Sequence, residues 1–141
     1  MSSVFTKIIN AELPGRFVWK DDVAVAFLTI EPVTAGHVLV VPREEVDHWE
    51  QIDTATFAHL SDVSQKIGRA VKQAFGAPRI GLLIAGFEVP HVHIHVFPAV
   101  SMAAYDLSHV RRDVPAAELD GDADTIRGAL RAIGYGEYVP D

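Results

Sequence analysis

The sequence predicts an α+β fold, a five-stranded antiparallel sheet with one long helix and short flanking helices. Three observations carry that expectation. Five short β-rich runs are separated by turn signals, and one long run of helical periodicity falls between the third and the fourth. Neither an internal repeat nor a low-complexity linker divides the 141 residues. Residues 1–141 therefore read as a single domain, with a core over about 3–100 and a more variable segment over 101–141.

The elements follow in order. Residues 6–11 suit a short helix, with Phe5, Ile8 and Ile9 on one side and Pro14-Gly15 as the stop signal. Runs 17–20 and 23–30 flank the acidic pair Asp21-Asp22 and read as a hairpin. Glu31-Pro32 breaks the chain, and 37–41 forms a third apolar run closed by Pro42. Over 54–75, Phe57, Leu60, Val63, Ile67, Val71 and Ala74 recur every three or four positions, which is the helical period. Asp62, Gln65, Lys66, Arg69 and Lys72 occupy the opposite, solvated face, and Gly76 and Pro78 end the helix. Runs 79–85 and 91–99 supply the last two strands, joined through Gly86-Phe87-Glu88-Val89-Pro90. Beyond Ser101, an acidic stretch over 113–124 reads as surface and 124–133 as a final helix.

Composition bounds the function. With 49% hydrophobic residues, a chain of this length buries roughly two thirds of its unfolded surface and needs no disulfide or structural metal. The absence of Cys removes thiolate nucleophiles, redox pairs and Cys-based zinc sites. Nineteen acidic against twelve basic residues give a net charge of −7 with no basic stripe, which excludes a nucleic-acid partner. A single nucleotide stays open, because one small anion needs only a local site. No run approaches the ~18 apolar residues of a membrane span, and the N-terminus lacks a secretory pattern. The expected location is the cytoplasm.

Chemistry concentrates in His91-Val92-His93-Ile94-His95-Val96-Phe97. Side chains alternate along a strand, so His91, His93 and His95 share one face while Val92, Ile94 and Val96 enter the core. Neighbouring imidazoles of such a row are about 6.6–6.8 Å apart at the backbone, too far for all three to converge on one ion. Two of them with a ligand from elsewhere leave a metal site as an alternative. The row suits an extended phosphate substrate better, one ring attacking and its neighbours hydrogen-bonding the oxygens. A second signal is Gly36-His37-Val38-Leu39-Val40-Val41-Pro42, a fourth His opening an apolar strand.

With both segments in view, the chain resembles the histidine triad (HIT) family of nucleotide hydrolases and transferases. SVFTKIINAELPGRFVWKDD, VAFLTIEPVTAGHVLVVPR and GFEVPHVHIHVFP carry the resemblance, in the family's order, over about 3–100. It implies a homodimer of HIT-like α+β subunits and attack by a histidine on the α-phosphorus of a purine nucleotide or nucleoside phosphoramidate. By position, His93 would be the nucleophile, forming a covalent nucleotidyl-histidine, and its other nitrogen should donate to a backbone carbonyl. His95 matches the position that meets phosphate oxygens or the leaving group, and His91 and His37 match orienting positions. Thr29, Ile30, Gly86, Phe87 and Glu88 occupy the substrate-binding positions. No cofactor is expected.

Departures from the family pattern are local. Many members bind zinc through a CxxC, a later His and the first His of the triad; here the first three positions hold Ser3, Thr6 and Glu45, so no metal is expected. Thr29 stands where an acid usually meets the ribose, no Asn precedes the triad, and Phe87 replaces a Gln. Phe87 reads first as a packing residue at the pocket rim, with base stacking as the rival. Trp19 and Trp49 read as core or interface, and Arg43 as either an entrance charge or a solvated one. These departures motivate an alternative function, a nucleotide-binding module with little or no turnover.

Overall fold

In the computed structural model, which describes residues 2–140, the chain runs α1 (Val4–Ile9), β1 (Phe17–Lys20), β2 (Ala24–Leu28), β3 (Val38–Pro42), α2 (Thr54–Phe75), β4 (Arg79–Leu83), β5 (Ile94–Ala99) and α3 (Ala116–Ala132). The strands form one antiparallel sheet in the order β1-β2-β3-β5-β4. Every residue of β2, β3 and β5 is buried, so the sheet centre must be covered on both faces. Ala24, Ala26, Leu28, Val38, Val40, Ile94 and Val96 point to α2 and α3, joining Leu60, Val63, Ile67, Ile126 and Leu130. Val25, Phe27, Leu39 and Val41 point the other way, and Phe5, Ile8 and Ile9 of α1 cover them. The register pairs Leu39 with His95, so His95 lies on the α1 face.

Asp21 fixes the first hairpin. Its carboxylate accepts from the backbone of Val23 and Ala24, from the indole of Trp19 and from His59 Nε2, at 2.7–2.8 Å. Arg43 Nε donates to the Asp21 carbonyl, which answers the question left by sequence: Arg43 secures this turn. Trp19 is buried and stacks on Tyr138, whereas Trp49 is half exposed and packs on Phe57.

Several boundaries move for physical reasons. Helix α1 starts at Val4 rather than residue 6, because the Ser3 hydroxyl caps it by accepting from the Thr6 amide. The second strand loses Val23 to the Asp21 turn and residues 29–30 to a turn in which Thr29 Oγ1 accepts from the Glu31 amide. The fifth strand begins at Ile94, not His91. The acidic residues of 113–124 lie at the surface, but 116–124 is also the first half of α3, which starts at Ala116 rather than 124 and buries Leu119, Ala123, Ile126 and Leu130 at helical spacing. Charge masked a period that the apolar residues already carried.

Candidate active site

The triad lies on the face of the sheet covered by α1. Although β5 begins after His93, the alternation persists: Val92 is buried with Ile94 and Val96 in the helix-side core, and the three imidazoles lie opposite. Phe5 of α1 meets the rings of His91 and His93 edge-on at 5.9 and 4.9 Å. His37 enters from the start of β3, its direction set by Gly36, whose φ of +94° suits a residue without Cβ. All four histidines are buried.

Hydrogen-bond partners determine each tautomer, since a carbonyl only accepts and a backbone amide only donates. His93 Nδ1–H donates to the His91 carbonyl at 2.7 Å, which leaves Nε2 with its lone pair. The Val33 amide donates to His37 Nδ1 at 3.1 Å, so His37 carries its hydrogen on Nε2. That hydrogen goes to His95 Nδ1 at 2.9 Å, and His95 in turn carries its hydrogen on Nε2. The rings of His93 and His95 are 4.9 Å apart between centroids. An unprotonated nitrogen and an N–H donor therefore sit side by side.

Burial, which penalises charge, is the main cause that lowers every triad pKa. His37 falls to about 3 and His95 to about 4, each helped by repulsion from neighbouring imidazoles. His93 is lowered by burial, partly offset by its hydrogen bond to His91 and by the carboxylate of Glu88. At neutral pH the imidazoles are uncharged, the form in which His93 can attack.

His93 and His95 open onto a cleft of about 210 Å³. Gly86, Phe87 and Glu88 form one wall, as the sequence expects; Leu107 and Ser108 form another, which it does not. No motif marks those two residues. They reach the cleft because Ala104 and Tyr105 pack with Phe97 of β5 and draw the following loop back over the sheet. Phe87 is 97% exposed, so the expectation that it packs at the rim is corrected: its ring touches too little protein to be a packing residue. Among the described residues that line the cleft, none is Lys or Arg. Thr29 and Ile30 are not among the residues lining this cleft; Thr29 is tied to His37 through its amide, which donates to the His37 carbonyl at 3.3 Å. Of the remaining histidines, His48 and His109 are exposed and His59 serves the Asp21 turn.

The profile of the HIT domain matches residues 10–102. The chain belongs to the HIT family. It is 39% identical over 102 residues to an uncharacterised HIT-like protein of Borreliella burgdorferi, covering 67% of this chain and 73% of that one. Several relatives bear the names of nucleotide hydrolases, two of them over about two thirds of this chain. One is an adenosine 5'-monophosphoramidase of Schizosaccharomyces pombe, 28% identical over 70% of this chain and 74% of that protein. The other is an adenylylsulfatase of Arabidopsis thaliana, 30% identical over 67% and 51%. Among solved structures, a zinc-bound histidine triad protein from Mycobacterium smegmatis superimposes with a TM-score of 0.81 at 27% identity, covering 94% of this chain and 96% of that one.

That zinc-bound HIT structure makes the donor set here worth testing. Ser3, Thr6, Glu45 and His91 do come together, but as two hydroxyls, one carboxylate and one imidazole already bonded to each other at 2.6–2.7 Å. Structural zinc takes thiolates and imidazoles, so this set does not fit it. Among the described residues no group of three or more His, Asp or Glu is placed to hold a metal ion. Nor is any helix of the described residues long and apolar enough to cross a membrane.

Proposed function

We propose that the protein, read as a single HIT domain over 1–141, is a nucleotide hydrolase or nucleotidyl transferase. It acts at the α-phosphate of a purine nucleoside phosphoramidate or related nucleotide through a covalent nucleotidyl-histidine. The observation that carries this reading is the pairing of a lone pair on His93 Nε2 with an N–H on His95 Nε2 at one cleft. His93 Nε2 attacks the α-phosphorus, the N–P bond forms, and the bond to the leaving amine breaks as the amine takes a proton by way of His95. Water then attacks the same phosphorus, the bond to His93 breaks, and the proton released by water returns to His95. One water is added across the P–N bond in total.

Charge favours an amine over an anionic leaving group. A cleft with Glu88 and, among the described residues lining it, no Lys or Arg, on a chain of net charge −7, weakens the binding of a substrate that carries a polyphosphate or sulfate leaving group and tolerates an amine. Thr29, Ile30, Gly86, Phe87 and Glu88 are proposed to hold the substrate, and His37 and His91 to orient the reacting pair. A homodimer is proposed through β4, the last strand of the sheet, whose free edge carries the half-exposed Leu82. The cytoplasm is the proposed location. Thr29 and the solvent-facing Phe87 favour one rival, a binding module without turnover.

A panel of adenosine and guanosine phosphoramidates, with and without EDTA, tests the proposal. Turnover is expected, unchanged by EDTA. Tight nucleotide binding without product would establish the binding module, and activity abolished by EDTA and restored by a divalent ion would establish a metal-dependent hydrolase.

A further inference from the structure

Ser3 and Thr6, at the start of α1, donate hydrogen bonds two ways, to Glu45 on one side and to His91 on the other. Thr6 donates its hydroxyl to Glu45 Oε1 at 2.6 Å, and the Ser3 amide donates to the same oxygen at 2.7 Å. The Thr6 amide donates to Ser3 Oγ at 3.0 Å, so the Ser3 hydroxyl keeps its own hydrogen for a further acceptor. That acceptor is His91 Nδ1 at 2.7 Å. It must be unprotonated, because His91 Nε2–H already donates to the Pro42 carbonyl at 2.7 Å. Both ring nitrogens of His91, a residue with no exposed surface, are thereby satisfied. The His91 carbonyl then receives His93 Nδ1–H. Phe5, two residues beyond Ser3 on the same helix, presses on the rings of His91 and His93.

We propose that Ser3, Thr6 and Glu45 form a metal-free clasp that holds His91 and so keeps His93 in its Nδ1–H tautomer. They are positioning residues, not catalytic ones: none of them lines the cleft. Helix α1 thus sets which nitrogen of His93 carries the lone pair. Loss of the Ser3 hydroxyl would leave the buried Nδ1 facing only Thr6 Oγ1, 3.5 Å away and already donating to Glu45, and a ring that must turn or protonate to satisfy it moves the carbonyl on which His93 depends. The consequence for catalysis rests on the proposed function; the tautomer itself does not.

Long-range ¹H–¹⁵N spectra of the imidazoles, recorded on the wild-type chain and on Ser3→Ala, Ser3→Thr and Glu45→Gln, read the tautomers without substrate. The wild-type chain is expected to show His91 as Nε2–H and His93 as Nδ1–H. In Ser3→Ala the His93 signals shift toward a tautomer mixture, Glu45→Gln shifts them less, and Ser3→Thr, which keeps the hydroxyl, restores them. Single-turnover nucleotidylation of Ser3→Ala should fall about five- to tenfold with KM little changed, the worth of one hydrogen bond expressed in the transition state. His93 signals unchanged in Ser3→Ala, with only a lower Tm, would overturn the clasp. A shifted tautomer with an unchanged nucleotidylation rate would leave the clasp standing and remove its consequence for catalysis. A wild-type chain that shows the expected tautomers but transfers no nucleotide would refute the proposed function and leave the clasp standing.

Discussion

His93 and His95 are chemically identical side chains given opposite tautomers by their neighbours. A carbonyl at Nδ1 leaves His93 a lone pair on Nε2, and an N–H at Nδ1 leaves His95 a hydrogen there. His95 should therefore matter in proportion to the leaving group's need for a proton. In His95→Ala, kcat/KM for a nucleoside phosphoramidate is expected to fall on the order of 10²-fold or more, and for the corresponding adenylyl sulfate by less than about tenfold. Equal losses for the two would remove the proton-transfer role. The pH profile of kcat/KM with the sulfate, which needs no proton, isolates His93. Because burial lowers the His93 pKa, the rate should hold as pH falls through 6.5 and drop only further into acid. A half-loss at or above 6.5 would contradict the buried, neutral nucleophile.

At the scale of elements, two positions show how the framework presents the site. Gly36 turns the chain into β3 just before His37, at φ +94°, and a Cβ there would lie 2.6 Å from the ring of Phe75 at the end of α2. Gly36→Ala is expected to cost about 2 kcal/mol or more in urea unfolding, from backbone strain and overpacking together. Ser64 presents the opposite case. Its hydroxyl is buried in α2 with no hydrogen-bond partner among the described residues, so Ser64→Ala should stabilise the fold by about 1 kcal/mol. The long helix was legible residue by residue, since 54–75 is both the periodic run and the observed α2. The start of α1 and the first half of α3 were not, for different reasons. One depends on a serine cap and the other on an apolar stripe diluted by acidic residues. The same limit applies at the site: HxHxH exposed the three rings, but Leu107 and Ser108 arrive by tertiary folding from a segment without a motif.

For the molecule as a whole, four buried neutral histidines couple folding to acid. Their folded pKa values lie below the unfolded value near 6.5, with His37 about 3 and His95 about 4, so the unfolded chain binds more protons between those limits. Stability is intact above about pH 6.5 and is lost as pH falls toward 3, by about 1.4 kcal/mol per pH unit for each proton taken up. Urea midpoints at pH 7.5, 6 and 5 should decline in that order, and the decline should shrink in His37→Asn if that variant folds; a flat series would contradict the burial of uncharged rings. The sheet's free β4 edge predicts a dimer by light scattering that Leu82→Lys converts to monomer.

Bond formation between His93 Nε2 and phosphorus is the step on which the proposed reaction depends. Acid quenching of the wild-type chain within milliseconds of mixing with excess adenosine phosphoramidate, followed by intact mass and peptide mapping, tests it most directly. The expected result is a gain of one adenylyl group, located on His93 and absent in His93→Ala. Multiple turnover by the wild-type chain with no adduct at any quench time, or an adduct that persists in His93→Ala, would contradict it.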